Sequence, residues 1–127
     1  MIGNPEAEKK ALQATFEDVA TITRPGHKKG PDGFAVPSPV VICESIICAL
    51  SKVRDNSAQT DAQQNIRRDM TLFVPPEVEA KAGDTVVVKR FGRIDPDSPY
   101  EHRFEIVGVP VRYMTHVEIA LKDVDIA

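Results

Sequence analysis

The sequence has no tryptophan, and aromatic residues make up only 6% of its 127 residues. Proteins that recognise bases or sugars by stacking need exposed aromatic side chains, and this chain offers few. An excess of positive charge is also missing, since the formal net charge is −3. A domain whose main task is to coat phosphate is usually strongly basic, so this charge argues against that class of protein.

Long apolar runs are missing as well. No stretch approaches the roughly 20 apolar residues that span a bilayer. The first ten residues, MIGNPEAEKK, lack the basic-then-apolar order of a signal peptide. We therefore expect a protein that has no membrane partner and is intracellular, or is assembled inside a cell.

The chain has only two cysteines, Cys43 and Cys48, which lie in one apolar run. In an extended strand, at about 3.3 Å per residue, they are too far apart for a disulfide bond. Their odd spacing predicts side chains on opposite faces of that strand, where reduced thiols serve as small apolar packing groups. The cysteines and histidines also lack the close pairing of structural zinc sites, so we predict no metal and no cofactor.

Catalytic patterns are equally scarce. None of the serines lies in a nucleophile-elbow motif, and His27, His102 and His116 stand in no recognisable catalytic motif. The sequence therefore predicts a protein that is not an enzyme.

The chain is long enough for one domain with its own hydrophobic core. Near the N-terminus, Asn4 and Pro5 are followed by Glu6 and Glu8, the pattern of a helix start with acids at its positive end. We expect a short helix that ends near Thr15. Residues 1–15 would form an N-terminal arm, and residues 16–127 a single β domain.

Six segments have the β-branched content or the apolar alternation of strands, with glycine and proline turns between them. They are 16–24, 40–50, 70–74, 85–90, 100–109 and 116–122. Two prolines in residues 35–39 exclude a central strand there, so 25–39 is predicted to be an exposed loop or a distorted hairpin. Six short strands predict an all-β fold, a small antiparallel barrel or sandwich.

Between the second and third predicted strands lies a polar stretch, residues 51–69, which is far longer than an ordinary connection. We predict a projecting loop, either disordered or functional. Within it Ala58, Ala62 and Ile66 recur every four residues and predict a short helix. Its candidate functional side chains are polar: Lys52, Arg54, Asp55, Gln59, Gln63, Gln64, Arg67 and Arg68.

A basic patch with one aromatic residue runs from Lys89 to Arg93 and is the best candidate for binding nucleic acid. Asp95, Asp97 and Glu101 follow at once and weaken its field, so we prefer a solvated turn or a subunit contact. The full set of residues predicted to contact a subunit or neighbour is His27, Lys28, Lys29, Glu44, Lys89, Arg90, Phe91, Arg93 and His116.

Five short segments, taken in order, resemble the head-completion or stopper proteins of phages with long non-contractile tails. They are residues 46–51 (IICALS), 72–76 (LFVPP), 82–88 (AGDTVVV), 104–110 (FEIVGVP) and 116–122 (HVEIALK). The resemblance covers residues 16–122. The stopper proteins belong to the head–tail connector group of virion proteins.

The resemblance implies a β-barrel that forms a ring, with a dodecamer favoured over a hexamer, in the neck of the virion. The ring would lie between the portal and adaptor proteins above and tail-terminator or tail-tube proteins below. In that family the loop between the second and third strands, here residues 51–69, closes the channel that holds the genomic DNA. The alternatives are another neck or tail protein such as a tail terminator, or a single-stranded nucleic-acid-binding barrel.

Overall fold

The computed structural model describes residues 5–52 and 69–124. In this part the chain forms a helix, α1 (Pro5–Ala14), and nine strands. The strands are β1 (Asp18–Arg24), β2 (His27–Lys29), β3 (Ala35–Pro37), β4 (Val40–Lys52), β5 (Asp69–Val74), β6 (Thr85–Lys89), β7 (Glu101–Ile106), β8 (Val111–Arg112) and β9 (Val117–Asp123). All six predicted strands are confirmed as β1, β4, β5, β6, β7 and β9, and the N-terminal helix is confirmed as α1.

The sheet closes on itself as an antiparallel barrel. Six strands follow the order β5-β4-β1-β6-β7-β9, and a further pairing between β5 and β9 joins the two ends of that order. β8 is an extra strand that pairs with the start of β9. Closure removes the open sheet edges that would otherwise invite uncontrolled pairing with other chains. Of the two predicted alternatives, the fold is therefore the barrel and not the sandwich.

Alternating side chains from every barrel strand fill the interior. In β9, Val117, Ile119 and Leu121 point inward as predicted, and each is at most 1% exposed. Fully burying a side chain of this size contributes roughly 1.5–3 kcal/mol. The core consists of Ala20, Ile22, Cys48, Leu72, Val74, Val78, Val86, Val88, Phe104, Ile106, Val117, Ile119 and Leu121.

A β-bulge in β4 changes which of its side chains face the core. Ala20 pairs with Ile46, but Ile22 pairs with Cys43, so β4 has one residue more than β1 in this interval. Ser45 takes up the irregularity with a φ of 53°. Because an extra residue inverts the alternation, Cys43 and Cys48 both pack on the core. The prediction that they lie on opposite faces is wrong, whereas their free thiols are confirmed.

The connections between strands lie at two opposite ends of the barrel, and the strand register shows which connection lies at which end. Thr23 pairs with Thr85, so the segment that follows β1 lies at the same end as the start of β6. Val19 pairs with Lys89, which places the segment after β6 at the opposite end. We call these the hairpin end and the loop end. The first contains the β2–β3 hairpin (residues 25–39), and the second contains the β6–β7 loop (residues 90–100).

Helix α1 lies on the outside of the barrel and is exposed over most of its length. Leu12 and Gln13 are half-buried, whereas Phe16, just after the helix, is 2% exposed. The Lys9 ammonium forms an ion pair with Glu77 in the β5–β6 connection. Among the described residues, no helix has the length and apolar character needed to cross a membrane.

Candidate functional site

The predicted channel loop is attached to the barrel between two adjacent strands. Lys52 at the end of β4 pairs with Met70 near the start of β5, and Ser51 pairs with Thr71. β4 continues past the start of β1, since Asp18 pairs with Cys48, so both attachment points lie at the loop end. Lys52 is exposed. The other seven predicted channel residues and the predicted helix of the loop lie outside the described residues.

The β6–β7 loop is held to the barrel by a buried carboxylate. Asp18 is 3% exposed. Its Oδ1 accepts the backbone N–H of Phe91 at 2.8 Å and the Nε–H of Arg90 at 3.3 Å. Its Oδ2 accepts the backbone N–H of Leu50 at 3.1 Å. One side chain of β1 thus joins β4 to the β6–β7 loop.

Arg93 joins the same loop to α1. Its Nη1 donates to the backbone oxygen of Gln13 at 2.6 Å and to that of Phe16 at 2.9 Å. Its backbone N–H donates to the oxygen of Glu17 at 3.1 Å. Because the last carbonyls of a helix have no partners within the helix, a cationic donor stabilises that end.

The basic patch predicted between Lys89 and Arg93 is therefore engaged within the chain. Arg90 donates to Asp18 and lies 5.4 Å from the centroid of the Phe91 ring. The Lys89 ammonium donates to the oxygen of Pro96 at 2.9 Å and lies 3.9 Å from a Glu101 oxygen. These cations have protein acceptors already, so the patch has fewer free donors for phosphate than its sequence predicts.

The outer surface of the β6–β7 loop is apolar and acidic. Ile94, Tyr100 and Phe91 are 71%, 59% and 43% exposed. The Phe91 and Tyr100 rings meet edge to face, with centroids 6.4 Å apart. Asp95 and Asp97 are exposed beside them. Phe91 is one of the predicted interface residues, whereas sequence reasoning did not single out Ile94 or Tyr100 because a single apolar residue in a polar loop carries no distinctive pattern.

The β2–β3 hairpin projects from the other end of the barrel. Every residue of its two strands is exposed, including the predicted interface residues His27, Lys28 and Lys29. Phe34 in the turn is 73% exposed. At the base of the hairpin, a Cβ added to Gly26 would lie 2.8 Å from the backbone oxygen of Ser38. The close approach of these two segments of the hairpin therefore requires glycine at position 26.

An ion pair fixes the base of this hairpin to the barrel. The Arg24 guanidinium donates from Nε to Asp84 Oδ1 at 2.9 Å and from Nη2 to Oδ2 at 3.0 Å. Asp84 is 1% exposed and also accepts the backbone N–H of Lys81 at 2.9 Å. The hydrogen bond to Asp84 raises the pKa of Arg24. Sequence reasoning missed this pair because its members are 60 residues apart.

His116 immediately precedes β9 and lies on the same outer side as Glu118, as predicted, but other side chains cover most of it. Its side chain is 15% exposed. The Tyr113 ring stacks on it with centroids 4.8 Å apart, and its Nε2 lies 2.9 Å from a Glu118 oxygen. His116 therefore supports the half-exposed Tyr113. Glu44, by contrast, is exposed beside the bulge in β4.

Apolar residues also cluster in the β7–β9 connection at the hairpin end. Val109, Met114, Val111 and Tyr113 are 88%, 77%, 50% and 48% exposed. Arg112 donates to the backbone oxygens of Pro76 and Val78 and so ties this connection to the one before β6. Both ends of the barrel thus carry exposed apolar side chains on hydrogen-bonded connections, which is typical of surfaces that contact other proteins.

The fold is similar to that of solved structures. Protein SF1141 from Shigella flexneri 2a superposes with a TM-score of 0.61 at 13% identity, covering 88% of this chain and 96% of that chain. A more distant structure, protein xkdH of the phage-like element PBSX from Bacillus subtilis, has a TM-score of 0.47 at 10% identity and covers 84% of this chain and 93% of that chain. The first likeness shows that the barrel fold is shared. No family model and no curated protein matches the sequence.

Proposed function

We propose that this chain is a non-enzymatic structural subunit of a phage neck. Copies of it would form a ring, with twelve favoured over six, between the portal and adaptor proteins and the tail-terminator or tail-tube proteins. The ring would close the DNA exit channel until ejection. The sequence resemblance motivates this proposal, and the barrel fold supports it.

The strongest support for the proposal is the way in which residues 53–68 are attached to the barrel. Lys52 and Met70 are paired neighbours on adjacent strands, so a turn of a few residues would suffice to connect them. The barrel has no structural need for the much longer polar segment. A long connection that a scaffold does not require is either functional or a disordered linker. A polar segment attached at one end of a ring subunit suits the first of these, as the lining of a channel.

The exposed apolar side chains at both ends also support a neck subunit. A connector must contact proteins above and below it, as well as its own copies. Ile94 and Tyr100 at one end, and Val109 and Met114 at the other, are exposed large apolar groups. We prefer this function to single-stranded nucleic-acid binding because Arg90 and Arg93 already donate to Asp18 and to backbone oxygens.

Deletion of residues 54–67 tests the proposal. It leaves Val53, Arg68 and Asp69 between the paired Lys52 and Met70, an ordinary length for a hairpin turn. We expect the purified variant to keep the thermal unfolding midpoint of the barrel. Particles assembled with it should lose packaged DNA, measured as the fraction of full heads by electron microscopy.

The matched control replaces residues 54–67 with a glycine and serine segment of the same length. This control keeps the length of the segment but removes its native side chains. If heads also leak with the control, the native side chains, and not the length of the segment alone, close the channel. Full, tailed and infectious particles from the deletion variant would overturn the proposal, provided that its barrel is folded.

A further inference from the structure

We propose that the β2–β3 hairpin of one copy of this chain packs on the β6–β7 loop of a second copy. This inference rests on the proposed function in one respect, because it names the contact by which ring subunits would associate. The binding partner of both surfaces is a second copy of this chain.

The β6–β7 loop is organised before any partner binds. Arg90 N–H donates to the oxygen of Tyr100 at 2.7 Å, and Ser98 Oγ donates to the oxygen of Arg90 at 2.6 Å. The bonds to Asp18 described above hold it on the barrel. This well-bonded loop nevertheless exposes Ile94, Tyr100 and Phe91 to solvent. Apolar groups held in place in this way bind a partner with little further loss of conformational entropy.

The β2–β3 hairpin offers the complementary kind of surface. Its strands pair only with each other among the described residues, and a lone two-stranded hairpin is marginally stable in water. Phe34 and Val36 are 73% and 39% exposed. Burial of this pair against another protein would stabilise the hairpin, and both of its edges remain open to further pairing.

The exposed charges beside the apolar groups are mostly opposite on the two surfaces. The hairpin also carries one acid, Asp32, whose Oδ1 accepts the N–H of Phe34. Lys28 and Lys29 lie on β2 beside the apolar side chains of the hairpin, and Asp95 and Asp97 follow Ile94 in the loop. Within residues 5–52 and 69–124, none of these four charged groups takes part in an ion pair. Each surface thus combines exposed apolar groups with unpaired charge, and charge complementarity of this kind selects the partner and its orientation.

The two surfaces lie at opposite ends of the barrel, as the pairings of Thr23 with Thr85 and of Val19 with Lys89 show. A contact between opposite ends requires two molecules and is heterologous, because different surfaces of the two copies meet. Heterologous contacts close into rings when the rotation between copies allows, and otherwise continue as filaments. Such a contact is what a cyclic neck subunit needs.

Charge reversal in purified full-length protein tests the contact. We expect Lys28→Glu and Asp97→Lys each to weaken self-association about tenfold, measured by sedimentation velocity at low salt. The chain with both reversals should associate within about threefold of the wild type, because the carboxylate introduced on the hairpin of one copy would then meet the ammonium introduced on the loop of the next. The controls Lys10→Glu and Glu8→Lys change the same charges on the exposed face of α1 and should leave association unchanged.

Disulfide trapping tests the pairing of the surfaces. Val36→Cys and Ile94→Cys proteins, mixed and treated with a mild oxidant, should give a covalent dimer that neither protein forms alone. The native thiols are poor competitors, because burial raises the pKa of both Cys43 and Cys48. A dimer from Val36→Cys alone would mean that hairpins contact each other and would overturn the proposal.

The proposal also fails if the wild-type protein stays monomeric at every concentration, or if the doubly reversed chain does not recover association while its unfolding midpoint is normal. These measurements use no virion. Their failure therefore leaves the neck function standing, and full heads from the deletion variant would leave the contact between copies standing.

Discussion

The carboxylate of Asp18 accepts the backbone N–H of Phe91 at 2.8 Å, across 73 residues of sequence. This bond attaches the β6–β7 loop, with its exposed Ile94 and Tyr100, to the first strand of the barrel. The geometry of the loop end therefore depends on one buried side chain whose other oxygen is bonded to the N–H of Leu50.

We predict that Asp18→Ala lowers the free energy of unfolding by about 3 kcal/mol, since it leaves the partly buried N–H groups of Leu50 and Phe91 and the Arg90 guanidinium without their acceptor. Urea denaturation monitored by circular dichroism measures this change. Asp97→Ala is the matched control, because Asp97 is exposed, and it should shift the value by less than about 0.5 kcal/mol. Equal effects of the two substitutions would contradict a structural role for Asp18.

Replacement of Arg93 should loosen α1 without affecting the barrel. Arg93→Met keeps most of the side-chain length but removes the donors to Gln13 and Phe16. We expect amide hydrogen exchange in α1 to accelerate about tenfold, the effect of losing about 1.4 kcal/mol of hydrogen bonding. Exchange in β9 should stay at the wild-type rate. Lys29→Met on the hairpin is the control, and acceleration in α1 by that control would show that the effect is not specific.

The ion pair between Lys9 and Glu77 should respond to acid. The hydrogen bond from Lys9 lowers the pKa of Glu77 from its ordinary value of 4.5. The attachment of α1 through this pair is therefore complete above pH 4.5 and is lost as the pH falls through the lower, folded-state pKa. NMR titration of the Glu77 carboxyl carbon should give a value below 4.5 in the wild type and a return toward 4.5 in Lys9→Met. Lys10→Met should leave the Glu77 titration unchanged, and a shift there would count against this pairing.

The bulge at Ser45 should tolerate glycine but not a β-branched residue. Its φ of 53° lies in the left-handed region, where a β-branched side chain is strained. We expect Ser45→Val to lower the free energy of unfolding by roughly 1–2 kcal/mol, and Ser45→Gly to match or exceed the wild type. Ser51→Val makes the same change at an exposed strand position and should have little effect. A stable Ser45→Val protein would show that the bulge relaxes.

The strands of the barrel were predictable because their signals are local. The alternation of Val117, Ile119 and Leu121 indicates both a strand and its inward face, and the acids after Pro5 indicate the start of α1. Glycine and proline turns then divide the chain into short segments, and the β-branched content or the apolar alternation of these segments marks them as strands. These signals depend on the stereochemistry of neighbouring residues, so the sequence alone determined the six strands, the helix and the position of the long polar connection.

Three features were decided only by the tertiary structure, because each depends on residues that are distant in sequence. Pairing of β5 with β9 closes the sheet, and strand propensities do not specify which edges meet. The extra residue opposite Thr21 inverts the alternation in β4 and brings both cysteines to the core. The basic patch, which the sequence presents as free charge, is engaged by Asp18 and by the end of α1, because folding brings a buried acceptor 72 residues away to Arg90.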